Sequence, residues 1–396
     1  MSAMHRSNAL ASLTAAALAL PAFQAEAEAR DESRIVSLRA SQYAEGKLPS
    51  DKLAGGDADR YDISVFRLRA GLPAFDSLRF TADVGYETMS GASPWFVQPD
   101  ENGKPVQVMS GATIDEARTD VSLDTRYYTD HAEHAVVVGY STENDYKALN
   151  LGLETLYSFE GSQTSINFGI GYSDDKVEPT DGGSTRFPYR IVSANRDSAN
   201  AVAGLTHVLN PTTVLQGAVS FTRQTGYLSD PYKLAIVDGV ARPDTRPDDR
   251  NQVAWTARLR HRLPELGASL HADYRYYSDS WKLDSHTVEL AWYQDVGENW
   301  WIAPSLRYYS QSQAGFYRPY YVAETSDNLY SSDYRLSPYG AFTLGLLIRR
   351  QIGSHAASLS IQYYDSDAAY ALKKVDVANP GLVDFVMATL GFDLSI

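Results

Sequence analysis

Apolar and polar residues alternate along sixteen short segments of this chain, and the gaps between the segments are in turn tight and long. Successive side chains of a β-strand point to opposite faces. In 267–279, Leu270, Ala272, Tyr274 and Tyr276 would face one way, and His271, Asp273, Arg275 and Tyr277 the other. A sheet closed into a tube, with lipid outside and a polar lumen inside, satisfies both faces. The pattern predicts an all-β fold: a transmembrane, antiparallel, up-and-down β-barrel of about 16 strands.

Strands are expected near 34–44, 60–71, 76–88, 114–128, 133–144, 148–159, 162–174 and 194–208. The second half should hold 212–223, 250–262, 267–279, 284–296, 299–312, 334–349, 354–366 and 383–396. Each reaches the roughly 9–11 residues of a tilted membrane strand. Short turns fall at Pro73, Asp130, Gly161, Pro211, Pro264, Gly297 and Gly353. Long connections fall at 89–113, 175–193, 226–249, 313–333 and 367–382. Outer-membrane barrels pair short periplasmic turns with longer external loops. An even strand number then puts both termini in the periplasm. Strand 60–71 breaks the alternation, because Ile63 and Val65 share a face with Arg67 and Arg69. That predicts a β-bulge.

Residues 1–27 read as a secretory signal peptide. His5 and Arg6 precede an apolar stretch, Ala9 to Ala22, that is too short to span a bilayer, and Ala25-Glu26-Ala27 or Ala27-Glu28-Ala29 offers a cleavage site. Residues 28–396 are then the barrel. The chain has no cysteine, which removes lipid anchoring, disulfides, thiolate nucleophiles and Cys-ligated metals. Mean hydropathy is −0.32, as expected when half of each strand is polar. A net charge of −14 argues against nucleic acid. The 27 tyrosines, with an apolar ring and a wet hydroxyl, suit membrane interfaces.

The inward faces are expected to carry Arg79, Asp83, Glu87, Asp120, Asp124, Arg126, Arg258, Arg260, His271, Asp273, Arg275, Glu289 and Arg307. Arg258, Arg260, Arg275 and Arg307 would form a basic stripe, and the Glu87 and Asp120–Asp124 strands an acidic patch. Opposed rows of this kind set a transverse field in an open lumen, or pair across strands and occlude it.

Strand ends often read Tyr-Ser-x-acid: Tyr140-Ser141-Thr142-Glu143, Tyr172-Ser173-Asp174-Asp175, Tyr277-Ser278-Asp279, and nearly so Tyr364-Asp365-Ser366-Asp367. Clustered carboxylates suit Ca²⁺, but an aromatic girdle above solvated loops accounts for the pattern better. His131 and His134 are spaced like some metal pairs, yet fall in a turn. His271 beside Asp273 has general-base spacing, but the charged lining of a wide lumen explains it better. No nucleophile elbow occurs. No catalytic, metal or cofactor site is expected. Loop 226–249 carries Pro231, Pro243, Pro247, Asp230, Asp244, Asp248 and Asp249 and reads as a structured surface loop.

Several stretches are similar to a family of bacterial outer-membrane proteins, domain-of-unknown-function family 3570. They are Ser90-Gly91-Ala92-Ser93-Pro94-Trp95-Phe96, Met109-Ser110-Gly111-Ala112-Thr113-Ile114, Thr142-Glu143-Asn144-Asp145-Tyr146 and Tyr172-Ser173-Asp174-Asp175-Lys176. Ser229-Asp230-Pro231-Tyr232-Lys233, Ser331-Ser332-Asp333-Tyr334-Arg335-Leu336-Ser337-Pro338-Tyr339-Gly340 and Asn379-Pro380-Gly381-Leu382-Val383-Asp384-Phe385 complete the set. The resemblance implies an outer-membrane barrel and no activity. The end, Thr389-Leu390-Gly391-Phe392-Asp393-Leu394-Ser395-Ile396, resembles the signal read by the barrel-insertion machinery, with Ile396 for the usual Phe.

The expected partners are outer-membrane lipid and that insertion machinery. The first expectation for function is a channel for small polar solutes. The alternative is a closed structural or partner-binding barrel acting through its loops, and an enzyme is the weakest reading. Nothing in the sequence sets the oligomeric state.

Overall fold

The computed structural model describes residues 34–110 and 114–396. The signal peptide expected at 1–27, and Gly111-Ala112-Thr113, lie outside the described residues. Sixteen strands close into one barrel: β1 (Ile35–Glu45), β2 (Asp62–Ala74), β3 (Leu78–Gly91), β4 (Ile114–Tyr128), β5 (Ala132–Thr142), β6 (Tyr146–Ser158), β7 (Thr164–Val177) and β8 (Ala194–Asn210). The circuit continues through β9 (Thr213–Gly226), β10 (Asp249–Leu263), β11 (Ala268–Asp279), β12 (Asp284–Val296), β13 (Trp300–Gln311), β14 (Tyr339–Ile352), β15 (His355–Asp367) and β16 (Asp384–Ser395). Each strand pairs antiparallel with its neighbours in sequence. β16 closes on β1 from Ile35↔Ser395 to Glu45↔Phe385. Closure leaves no strand edge, which lipid requires.

The segment expected at 334 starts at Tyr339. Tyr334–Leu336 instead form a 3₁₀ turn, with the Asp333 carboxylate accepting from the Arg335 backbone N–H. Pro338, which has no N–H to donate, falls between turn and strand.

One face of the wall is an exposed apolar band. Leu149, Leu151 and Leu153, then Phe168 and Ile170, and Trp255, Leu290, Leu344, Ile361, Leu390 and Phe392 all stand out from it. A band of this extent is stable only against lipid.

The bulge expected in strand 60–71 is absent. β2 pairs without a shift with β1 and with β3. Ile63, only 3% exposed, packs with Tyr43, Tyr61 and Met89, and Val65 and Phe385 lean on that cluster. The inner face is thus apolar at the loop end, where loops fold over it, and charged further down. Both residue types occupy one face of a regular strand.

Long loops gather at one end and tight turns at the other, where Ile396 N–H donates to the Arg34 carbonyl. The loops hold a small three-stranded sheet (Leu53–Gly55, Pro94–Pro99, Pro105–Met109) and a hairpin, Leu234–Val237 with Val240–Pro243.

Candidate functional site

The expected inward residues occupy the positions alternating with exposed apolar ones. Asp83 precedes Val84, Asp120 precedes Val121, Asp124 follows Leu123, and Glu289 sits between Val288 and Leu290. Most are brought into pairs across strands. The Arg67 guanidinium lies 3.3 Å from Asp83 and 3.4 Å from Asp120. Arg126 reaches Asp124 at 3.1 Å and Glu133 at 3.4 Å. Arg118 stands 3.8 Å from Glu87. Arg79 lies opposite Arg126 in the register of β3 and β4.

The acidic patch expected on β3 and β4 is therefore matched with arginines. The basic stripe is interrupted likewise. Arg260 binds Asp273, and Arg258 lies 3.8 Å from the same carboxylate. One row crosses four strands in the order Arg258, Asp273, Glu289, Arg307. The His271 ring packs on Tyr293 at 4.3 Å, while Asp273 is taken up by the two arginines.

Part of the inner wall is open. Arg275 and Arg307 are exposed although they share the inner face, and the Arg69 side chain is 56% exposed. Groups packed against dry protein would not be.

The loop end differs, because there the charges are buried. Loop 226–249 contributes Asp230, Lys233, Asp244 and Arg246, and loop 312–338 contributes Asp333 and Arg335. Arg246 reaches Asp244 at 2.7 Å and Asp333 at 2.9 Å. Arg335 spans Asp333 and, at 3.1 Å, Asp230. Asp333 and Asp244 are 2% and 3% exposed. The expectation of a surface loop at 226–249 is corrected in part: Asp230, Lys233 and Asp244 belong to a buried core, while Asp238, Asp248 and Asp249 stay exposed. Burial alone would raise the Asp333 carboxyl, but Arg335, Lys233 and Arg246 outweigh it and hold it well below the usual range. Burial pushes the Lys233 ammonium down, and it donates to the Pro94 carbonyl at 2.8 Å.

Further contacts tie in the other loops. Arg60 joins Glu45 at 2.8 Å and donates to the Gly381 carbonyl at 3.0 Å. Asn379 donates to Tyr317 Oη at 2.8 Å and to the Ser332 carbonyl at 3.1 Å. Arg190 donates to the Pro231 carbonyl at 3.0 Å. Loops from around the rim therefore form one interlocked cap. The sequence does not reveal it, because the contacts between its loops join residues from 41 to 321 positions apart. The one visible signal was acid and arginine in segments otherwise rich in turn residues.

The acidic strand ends are engaged in the same fabric. Asp175 accepts from Tyr146 and Arg196, and Asp279 accepts from Arg250 at 2.5 Å and from the Leu283 N–H at 2.9 Å. Burial, then repulsion from Asp145, pushes Glu143 up to about 8. His131 and His134 diverge, toward Glu160 at 3.9 Å and Thr155 at 3.0 Å.

With this barrel defined, residues 10–383 match the family described as protein of unknown function DUF3570. The chain belongs to that family. No curated protein matches it. The DUF3570 barrel resembles CdiB from Acinetobacter baumannii, with a TM-score of 0.50 at 9% identity over 91% of this chain and 60% of that one. It also resembles the siderophore receptor PirA from Pseudomonas aeruginosa, at 0.45 and 12% identity over 85% of this chain and 57% of that one. OccK3 (OpdO) from Pseudomonas aeruginosa aligns at 0.42 and 12% identity over 92% and 96%. The chain spans about three-fifths of the length of the first two. At these identities the likeness is one of fold, that of outer-membrane barrels.

Proposed function

We propose that this DUF3570 barrel is an outer-membrane channel for small polar solutes, narrowed on its outer side by the interlocked loop cap. The supporting observation is the exposure of Arg69, Arg275 and Arg307 on the inner face, which implies a hydrated lumen. Sixteen strands lie in the size range that leaves an aqueous path. Arg79, Asp83, Glu87, Asp120, Asp124, Arg126, Arg258, Arg260, His271, Asp273, Arg275, Glu289 and Arg307 then line that path.

In this reading the signal peptide is cut near Ala27 and both termini lie in the periplasm. The insertion machinery engages β16, where Gly391 leaves room for Arg39: a Cβ there would lie 2.9 Å from Arg39 Cδ. Single-channel recording in planar bilayers tests the proposal, and discrete conductance steps are expected.

The buried ion cluster of the cap favours a second reading, a closed barrel acting through its loops. A barrel that inserts fully yet shows no steps would establish that reading and discard the channel.

A further inference from the structure

Four arginines and two carboxylates meet on the inner wall of β10 to β13. Arg258 and Arg260 face Asp273, and Glu289 lies beside Asp273 in the same row. The group carries two positive charges in excess, and Arg275 and Arg307 stand outside the pairings around Asp273. Among the described residues neither guanidinium makes an ion pair. Arg275 lies over the Tyr277 ring, 5.4 Å from its centroid, and Arg307 acts on it as a like charge. Glu289 faces Arg307 across the register but does not close a salt bridge with it. Both arginines are exposed to the lumen. Two like charges on one low-dielectric wall raise the local potential and draw counter-ions.

The spacing narrows the kind of anion. Arg275 is level with Thr287 and Tyr309, and Arg307 is two residues along from Tyr309 on β13. Two strand spacings across and two residues along put the Cα atoms about 12 Å apart. Each arm is long enough to turn its guanidinium toward the gap. A guanidinium grips a carboxylate through two parallel N–H donors. We infer that Arg275 and Arg307 together form a binding site for a small dicarboxylate, one carboxylate to each guanidinium. Tyr277 lies on the side of Arg275 away from Arg307, so its ring holds the arm in the unliganded wall and a ligand draws the guanidinium across, while the Tyr277 hydroxyl donates to Asp279 at 2.9 Å. The arginines are the donors, and the tyrosine is the resting place of the Arg275 arm.

The inference rests on the hydrated lumen of the proposed channel, and its test can be read separately from conductance. Succinate is titrated by calorimetry onto the full-length folded barrel in detergent. Saturable binding is expected, weakened at least tenfold in the Arg275→Gln/Arg307→Gln double variant. Acetate, with one carboxylate, should bind at least tenfold more weakly than succinate. Arg275→Lys/Arg307→Lys keeps both charges without the fork and should fall between the two. It also serves if the Gln variant fails to fold. Binding should weaken in 1 M chloride, where the Debye length is about 3 Å. Undetectable succinate binding, equal affinity in the Gln or Lys variant, or acetate binding as tightly as succinate would overturn the site. Succinate binding without conductance steps would keep the site and discard the channel.

Discussion

Adjacent residues of one strand carry opposite requirements here. Leu290 is exposed on the apolar face, and its neighbour Glu289 lies on the charged one. Leu290→Arg or Ile361→Arg should cost about 2–4 kcal/mol near the bilayer midplane. Glu289→Leu should leave folding nearly unchanged. Urea unfolding in lipid vesicles measures both, and equal losses would reverse the assigned faces. Asp333 presents a different case, because its charge is buried among arginines. Asp333→Asn should destabilise the cap by about 3–5 kcal/mol, since unpaired buried cations remain. The carboxyl is held below its unfolded value, so its stabilisation is complete above about pH 4 and fades as pH falls further. Hydrogen-exchange protection in loops 226–249 and 312–338, relative to the intrinsic rate at each pH, should therefore fall in acid, and in the variant at neutral pH. Unchanged protection would deny the cluster its role.

At the scale of elements, the contrast between ends of the barrel is decisive. Gly103 and Asp238 sit at exposed hairpin tips with positive φ of 76° and 50°. Tags inserted after either should be labelled on intact cells. Tags beside Asp130 or Pro264, in the short turns, should be labelled only after the outer membrane is opened. The reverse pattern would invert the topology. β2 shows why an element cannot always be read alone. Its two inner apolar residues, Ile63 and Val65, looked like a register fault, whereas they form the floor on which loop residue Tyr61 packs. Only the neighbouring strands β1, β3 and β16 make that packing visible.

For the whole molecule, closure makes stability cooperative, because β1 and β16 pair along eleven positions and every wall strand has two partners. The folded chain should resist detergent and migrate faster on a gel before boiling than after. Identical migration in both states would argue against a closed barrel. The cap adds a second layer of order above the wall, and it should loosen at a lower pH stress than the wall itself, because its stability depends on buried carboxylates.

Strand number, antiparallel order, the lipid-facing band and the alternation of short and long connections were set by the sequence, since each follows from period-two patterning and turn residues within a few positions. The sixteen strands appear where Leu149 to Leu153 or Val121 to Tyr127 alternate, shifted by a few residues at their ends. The candidate lumen residues could be named for the same reason, because a face is a local property. Their partners could not. That Arg67 meets Asp120, that Asp273 interrupts the arginines, and that Arg246 and Arg335 meet Asp333 depend on register and on loops folding over the mouth. A carboxylate's charge is written in the sequence, but its dielectric surroundings and its counter-charge are set by chain segments that only the tertiary structure brings together.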